Sequence, residues 1–134
     1  MIYLLDIDIC IYLLNGRAPQ VKRNADLVPT SEIAISTLTM AEMFSGAARS
    51  ERPLLTYAKQ SAFFMRYSIL PFDEAGARVY GHIDGYLKNA GIRIDPVDTQ
   101  IAAIALAQNL ILVTHNTRHF RRVPQLAIED WAID

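Results

Sequence analysis

Asp6, Glu42 and Asp98 each stand where a short apolar run gives way to helical pattern. In a parallel α/β sheet the strand C-termini, and the helix starts that follow them, line one crevice, and ligands bind there. Carboxylates gathered in such a crevice raise one another's pKa unless positive charge joins them. A divalent cation is the simplest source of that charge. Placement alone therefore predicts a metal site built from Asp6, Glu42 and Asp98.

Each acid also has a simpler explanation. Asp95-Pro96-Val97-Asp98 reads as a helix cap, a first-turn proline and an acid at the third helical position, where the dipole favours negative charge. That accounts for Asp95 fully and for Asp98 in part, because Asp98 shares a helical face with apolar Ile101, Ala102 and Ala105. A charge heading a buried stripe is costly unless it is paired or bound to metal. Thr39-Met40-Ala41-Glu42 fits a capping box, in which the glutamate bonds back to the cap residue. Asp6 closes the run Ile2-Tyr3-Leu4-Leu5, and Asp8 follows two residues on. Those two acids share one side if the strand continues. If it stops, Asp8 is free to cap the next helix, and its role stands between cap and outer partner of a metal ligand.

The other candidates are weaker. His115 and His119 are four apart but flank a turn-like Asn116-Thr117-Arg118, which argues against a zinc pair. His82 falls mid-helix, and Tyr57, Phe63, Phe64 and Tyr67 recur near helical spacing, the pattern of a core or a subunit interface rather than of base stacking.

The elements that position these residues are short. Continuous apolar runs at Ile2 to Leu5, Ile33 to Ser36, Ser68 to Leu70, Leu110 to Thr114 and, more weakly, Leu126 to Ile128 read as strands covered on both faces. Helical pattern fills the intervals: Met40 to Ala48, Leu54 to Phe64, a helix capped by Asp73 and ending at Asn89-Ala90-Gly91, and a buried alanine-rich helix at Ile101 to Ala107. Strands alternating with helices imply a parallel sheet with helices on both faces. The expected fold is a single three-layer α/β domain over residues 1–134.

Whole-chain properties narrow the function. The chain has 134 residues, 51% apolar and 20% charged, with a net charge of −1, so no gross basic excess advertises nucleic acid. Local basic patches remain open, with Arg17, Arg49 and Arg118 as candidates for phosphate contact. Cys10 is the lone cysteine, which rules out an internal disulfide and fits a small core side chain. No apolar run approaches the ~20 residues of a membrane span, so the expectation is a cytoplasmic protein without a membrane contact.

The ordered motifs resemble PIN-domain ribonucleases, specifically VapC-type toxins of type II toxin–antitoxin pairs. The matching stretches are Tyr3-Leu4-Leu5-Asp6, Ile35-Ser36 through Thr39-Met40-Ala41-Glu42-Met43 to Ser45-Gly46-Ala47, and Asp95 through Ala103. Val113-Thr114-His115-Asn116 with His119-Phe120 follows, and the ending Val123-Pro124 to Glu129-Asp130-Trp131 closes the set. The resemblance implies a Mg²⁺- or Mn²⁺-dependent endoribonuclease that cuts RNA (tRNA or rRNA), a homodimer, and inhibition by a cognate VapB-type antitoxin. The family's core acids fall on Asp6, Glu42 and Asp98. Asn116 stands where many relatives carry a further polar or acidic residue that holds a water or a phosphate. Two departures stand out: Ile7-Asp8 replaces a Thr-Asn pair, and Asp95 stands where glycine is common.

With such a cation held by Asp6, Glu42 and Asp98, the implied chemistry is in-line attack of an activated water on a phosphodiester, without a protein nucleophile. Two alternatives are weighed. Leu4-Leu5-Asp6-Ile7-Asp8 also resembles haloacid-dehalogenase phosphatases, in which the first aspartate is the nucleophile, but His115-Asn116 replaces the acidic cluster that family places after a later strand. The other is a non-catalytic module that keeps the fold for partner binding, for which three repelling acids serve no purpose.

Overall fold

The computed structural model describes residues 1–133. Its five strands are β1 (Tyr3–Leu5), β2 (Ile33–Ser36), β3 (Ser68–Leu70), β4 (Ile111–Val113) and β5 (Ile128–Glu129). They form one sheet in the order β3-β2-β1-β4-β5, and every pairing is parallel. Among the described residues seven α-helices lie between them: α1 (Ile7–Asn15), α2 (Pro19–Asp26), α3 (Thr37–Ala48), α4 (Pro53–Phe64), α5 (Glu74–Asn89), α6 (Pro96–Ala107) and α7 (Thr117–Phe120).

The two-residue period of a strand builds both faces. Leu4 pairs in register with Ala34 on one side and Leu112 on the other, and all three join one core with Ile83 and Leu87 of α5, Ile101–Ala105 of α6 and Phe120 of α7. Their chain neighbours Leu5, Ile33, Ile35 and Val113 point the opposite way, into a second core with Ile9, Cys10, Val21, Met43, Phe63, Phe64 and Trp131. Helices α1 to α4 therefore cover one face and α5 to α7 the other, giving the expected three layers. The alanines of α6 allow close approach to the sheet, and Ala102, Ala103 and Ala105 are fully buried.

Local signals explain most boundaries. Asp73 caps α5 by accepting from the Gly76 amide at 3.0 Å, and Asp95 caps α6 by accepting from Val97 at 2.8 Å. Gly16 ends α1 at φ 65°, a left-handed conformation natural for glycine, and its amide donates to the Tyr12 carbonyl. The chain end is pinned by Trp131, whose ring lies 5.1 Å from Tyr3 and whose carbonyl accepts from the Asn24 amide at 3.1 Å.

Several expected bounds move. The strands at Ile2 to Leu5 and Leu110 to Thr114 are each shorter, and the last strand begins at Ile128 rather than Leu126. Helix α3 begins at Thr37, three residues before Met40, because Ser36 at the end of β2 caps it directly and accepts from the Thr39 amide at 3.1 Å. That overturns the capping box. Glu42 lies in the second turn and does not bond back to Thr39.

Candidate functional site

The strand order reverses beside β1: the chain builds outward through β2 and β3, then returns to place β4 on β1's other edge. The crevice past the C-terminal ends of β1 and β4 is thus the topological switch point, the usual ligand position of an open parallel sheet. Asp6 is the residue after β1, and Thr114 is the residue after β4.

Asp6 is 4% exposed. Its Oδ1 accepts from the Ile7 amide at 2.9 Å, so it caps α1. Its Oδ2 accepts from the Thr114 hydroxyl at 2.9 Å. These two bonds favour the carboxylate, but burial and the charge of Asp8 outweigh them, with Asp98 adding to the repulsion, and its pKa is pushed up to about 7. An acid so displaced at a sheet's ligand crevice is a candidate functional residue.

Asp8 does not cap a helix. The strand stops at Leu5, and Asp8 sits in the first turn of α1, where Oδ1 accepts from Ile9 at 2.8 Å and Oδ2 from the His115 amide at 3.0 Å. It ties α1 to the turn after β4. Burial raises its pKa, opposed by those two backbone bonds.

Asp98 occupies the third position of α6, with Asp95 as cap. It is half-buried, and its Oδ2 lies 3.1 Å from His119 Nε2. Burial raises its pKa; His119 opposes the rise and Asp95 adds to it. Glu42 is exposed and forms no hydrogen bond or ion pair with the described residues. Asn116 caps α7 through its carbonyl, which accepts from His119 and Phe120, while its exposed side chain makes no capping bond.

Sequence reasoning thus finds the edge but not the whole constellation. Asp8 and Asp98 both come within electrostatic reach of Asp6, whereas Glu42 is not among the charges that shift it. The roles of three residues were missed. Thr114 links the two strand ends, donating to Asp6 and accepting from the Asn116 amide at 3.0 Å. His115 Nδ1 sits 2.9 Å from Asp130 Oδ2, and His119 sits on Asp98 rather than beside His115. The available signal was the motif's own position at the end of β4, which shares an edge with β1. His82, by contrast, is exposed on α5, and of the aromatic set Phe63 and Phe64 are buried while Tyr57 is 51% exposed.

Among the described residues no three His, Cys, Asp or Glu side chains are arranged to hold a metal ion as they stand. The donor chemistry nevertheless fits one. Asp6, Asp98 and Glu42 offer hard carboxylate oxygens, and a divalent cation would offset the repulsion that lifts Asp6. Glu42, exposed and unengaged by the described residues, is free of competing contacts. No helix of the described residues is long and apolar enough to cross a membrane.

Known proteins place this geometry in a family. The PIN domain family profile matches residues 3–126. The chain is 34% identical over 132 residues to Ribonuclease VapC2 of Rickettsia felis, covering 98% of both chains. It is 35% identical over 130 residues to the tRNA(fMet)-specific endonuclease VapC of Shigella flexneri, covering 97% of this chain and 98% of that one. Among solved structures, DNA-bound VapBC from Salmonella typhimurium superposes with a TM-score of 0.92 at 32% identity and 98% coverage of each chain. VapBC2 from Rickettsia felis bound to a promoter DNA fragment gives a TM-score of 0.90 at 33% identity, covering 98% of this chain and 99% of that one. These matches favour the nuclease over the phosphatase and the non-catalytic module. With 34% identity across nearly its full length and the PIN profile spanning residues 3–126, the chain belongs to the VapC ribonucleases of the PIN-domain family.

Proposed function

We propose that this chain is the toxin of a toxin–antitoxin pair, an endoribonuclease that uses Mg²⁺ or Mn²⁺ held by Asp6, Asp98 and Glu42. The observation that carries the reading is Asp6, a buried carboxylate at the switch point whose pKa stands near 7 beside two further acids. Structural carboxylates in that position gain nothing from such repulsion, whereas a cation site does.

When bound, the cation supplies an activated water and offsets charge on the leaving oxygen. The residues of the chain supply the rest. Thr114 and the Ile7 amide hold both Asp6 oxygens in place. Asp8 fixes the turn after β4, so that Asn116 presents an exposed amide at the mouth of the crevice, suited to a phosphate oxygen or a water. Arg17, Arg49 and Arg118, all exposed, are candidates for sequence-independent phosphate contacts.

Relatives support the partner and substrate readings. Several of the solved relatives are VapBC complexes, which supports a VapB-type antitoxin here. The Shigella and Salmonella relatives carry the name tRNA(fMet)-specific endonuclease, which supports tRNA as the substrate class. A homodimer is part of the same proposal.

The test is cleavage of purified tRNA by the antitoxin-free chain with and without Mn²⁺, with Asp98→Asn as control. Cleavage that needs the metal and disappears in the folded variant supports the reading. Full cleavage by Asp98→Asn, or in the presence of a chelator, sinks it.

A further inference from the structure

His119 is held from several sides. Its neighbour Phe120 is 1% exposed and anchors the short α7 in the core, and the two rings meet edge to face at 5.2 Å. The His119 carbonyl accepts from Arg122 Nε at 3.1 Å. The two ring nitrogens face different neighbours: Nε2 lies 3.1 Å from Asp98 Oδ2, and Nδ1 lies 2.6 Å from Arg122 Nη2.

A guanidinium has only donors. Nδ1 must therefore accept from Arg122, and the ring proton resides on Nε2, where it is donated to Asp98. A simple ion pair between a doubly protonated ring and Asp98 would turn a second N–H against the guanidinium donor at that 2.6 Å contact. The chain of contacts thus has one direction: Arg122 donates to His119, and His119 donates to Asp98.

We infer that His119 is a positioning residue for Asp98, with its tautomer set by Arg122. It restrains the carboxylate through Oδ2 and leaves Oδ1, which has no partner among the described residues, for a hard cation. Asp98 needs such a restraint because its side chain is 32% exposed and sits in the first turn of α6, where solvent competes for it. Hydrogen-bonded outer partners fix the orientation of metal ligands in this way, and their loss typically weakens metal binding about 10- to 100-fold. This inference rests on the proposed role of Asp98 as a ligand.

Calorimetric titration of the folded, full-length chain with Mn²⁺ tests it, alongside ¹⁵N spectra of the histidine rings. His119→Ala is expected to weaken Mn²⁺ binding about 10- to 100-fold. His119→Gln, whose amide nitrogen falls near the position of Nε2, is expected to restore most of the affinity, whereas the shorter His119→Asn is not. In the wild-type spectrum the His119 proton is on Nε2, and in Arg122→Ala the ring becomes a mixture of tautomers. Unchanged or tighter Mn²⁺ binding by His119→Ala overturns the inference, as does an Nδ1 proton in the wild type. If His119→Ala does not fold, equal affinities for the Gln and Asn variants overturn it instead. Asp98→Asn separates the two levels: undiminished Mn²⁺ binding there removes the ligand reading itself, while loss there and none in His119→Ala removes only the positioning role.

Discussion

The Thr114 hydroxyl donates to Asp6 Oδ2 at 2.9 Å, across 108 residues of sequence. The bond joins the ends of adjacent strands β1 and β4, and among the described residues it favours ionisation of Asp6 together with the Ile7 amide. Thr114→Val keeps the shape and removes the donor. Leaving a buried acceptor unpaired costs about 1–3 kcal/mol. Chemical denaturation at neutral pH should show a loss of that size, and the Asp6 titration followed by NMR should move further upward.

Asp6 itself gives the metal-free protein an unusual pH dependence. Its pKa rises from 3.8 in the unfolded chain to about 7 in the folded one. Between those values the folded state holds a proton that the unfolded state has released, so stability falls as pH rises from about 4 and is lowest above about 7. A shift of about three units corresponds to roughly 4 kcal/mol. Burial of Asp8 and Asp98 acts in the same direction. Thermal melts of metal-free Asp6→Asn should lie above the wild type at pH 7.5, with the gap closing toward pH 4. A variant less stable than wild type at pH 7.5 would contradict this account.

Glu42 offers a cleaner separation of stability from function. It is exposed and unengaged by the described residues, and substitutions at such positions stay within about 0.5 kcal/mol. Glu42→Gln should therefore melt like the wild type while losing at least about tenfold in metal-dependent RNA cleavage. Equal activity would remove Glu42 from the site.

Asp8 adds negative charge beside Asp6 and raises its pKa. Asp8→Asn keeps an acceptor oxygen for the Ile9 or His115 amide and removes that charge. The Asp6 pKa should fall, and the pH midpoint of Mn²⁺ binding should move to lower pH. An unmoved midpoint would mean that Asp8 acts only through the bond to His115.

Ser36 starts α3 with no intervening loop. Ser36→Ala should cost about 1 kcal/mol, the usual loss of a helix cap, measured by urea denaturation. Helical content should be retained, because Met43 and Ala47 still bury their face of α3.

Much of this was legible beforehand, and the reasons are physical. β2 and β3 appear at their expected limits because a strand covered on both faces is a continuous apolar run, as Ile33-Ala34-Ile35 is. Asp73 and Asp95 were readable as caps because their bonds reach only three and two residues ahead. Thr39 to Glu42 also carries a cap motif, but Ser36 starts the helix earlier, and local consensus does not rank two adjacent caps. The His119–Asp98 pair spans 21 residues and the Asp8–His115 bond 107. No periodicity records contacts of that kind; they follow only once the strand order has brought β4 beside β1.

The seamless passage from β2 into α3 turns Glu42's place in the molecule into a question of helical phase. Six residues separate it from Ser36, a rise of about 9 Å along the helix axis. Because no loop absorbs errors, a one-residue insertion between Ser36 and Met40 would swing the Glu42 carboxylate by about 100° around α3 while leaving β2 intact. The junction works as a ruler and protractor together, so lineages of this fold should tolerate changes of residue type in this segment far more readily than changes in its length.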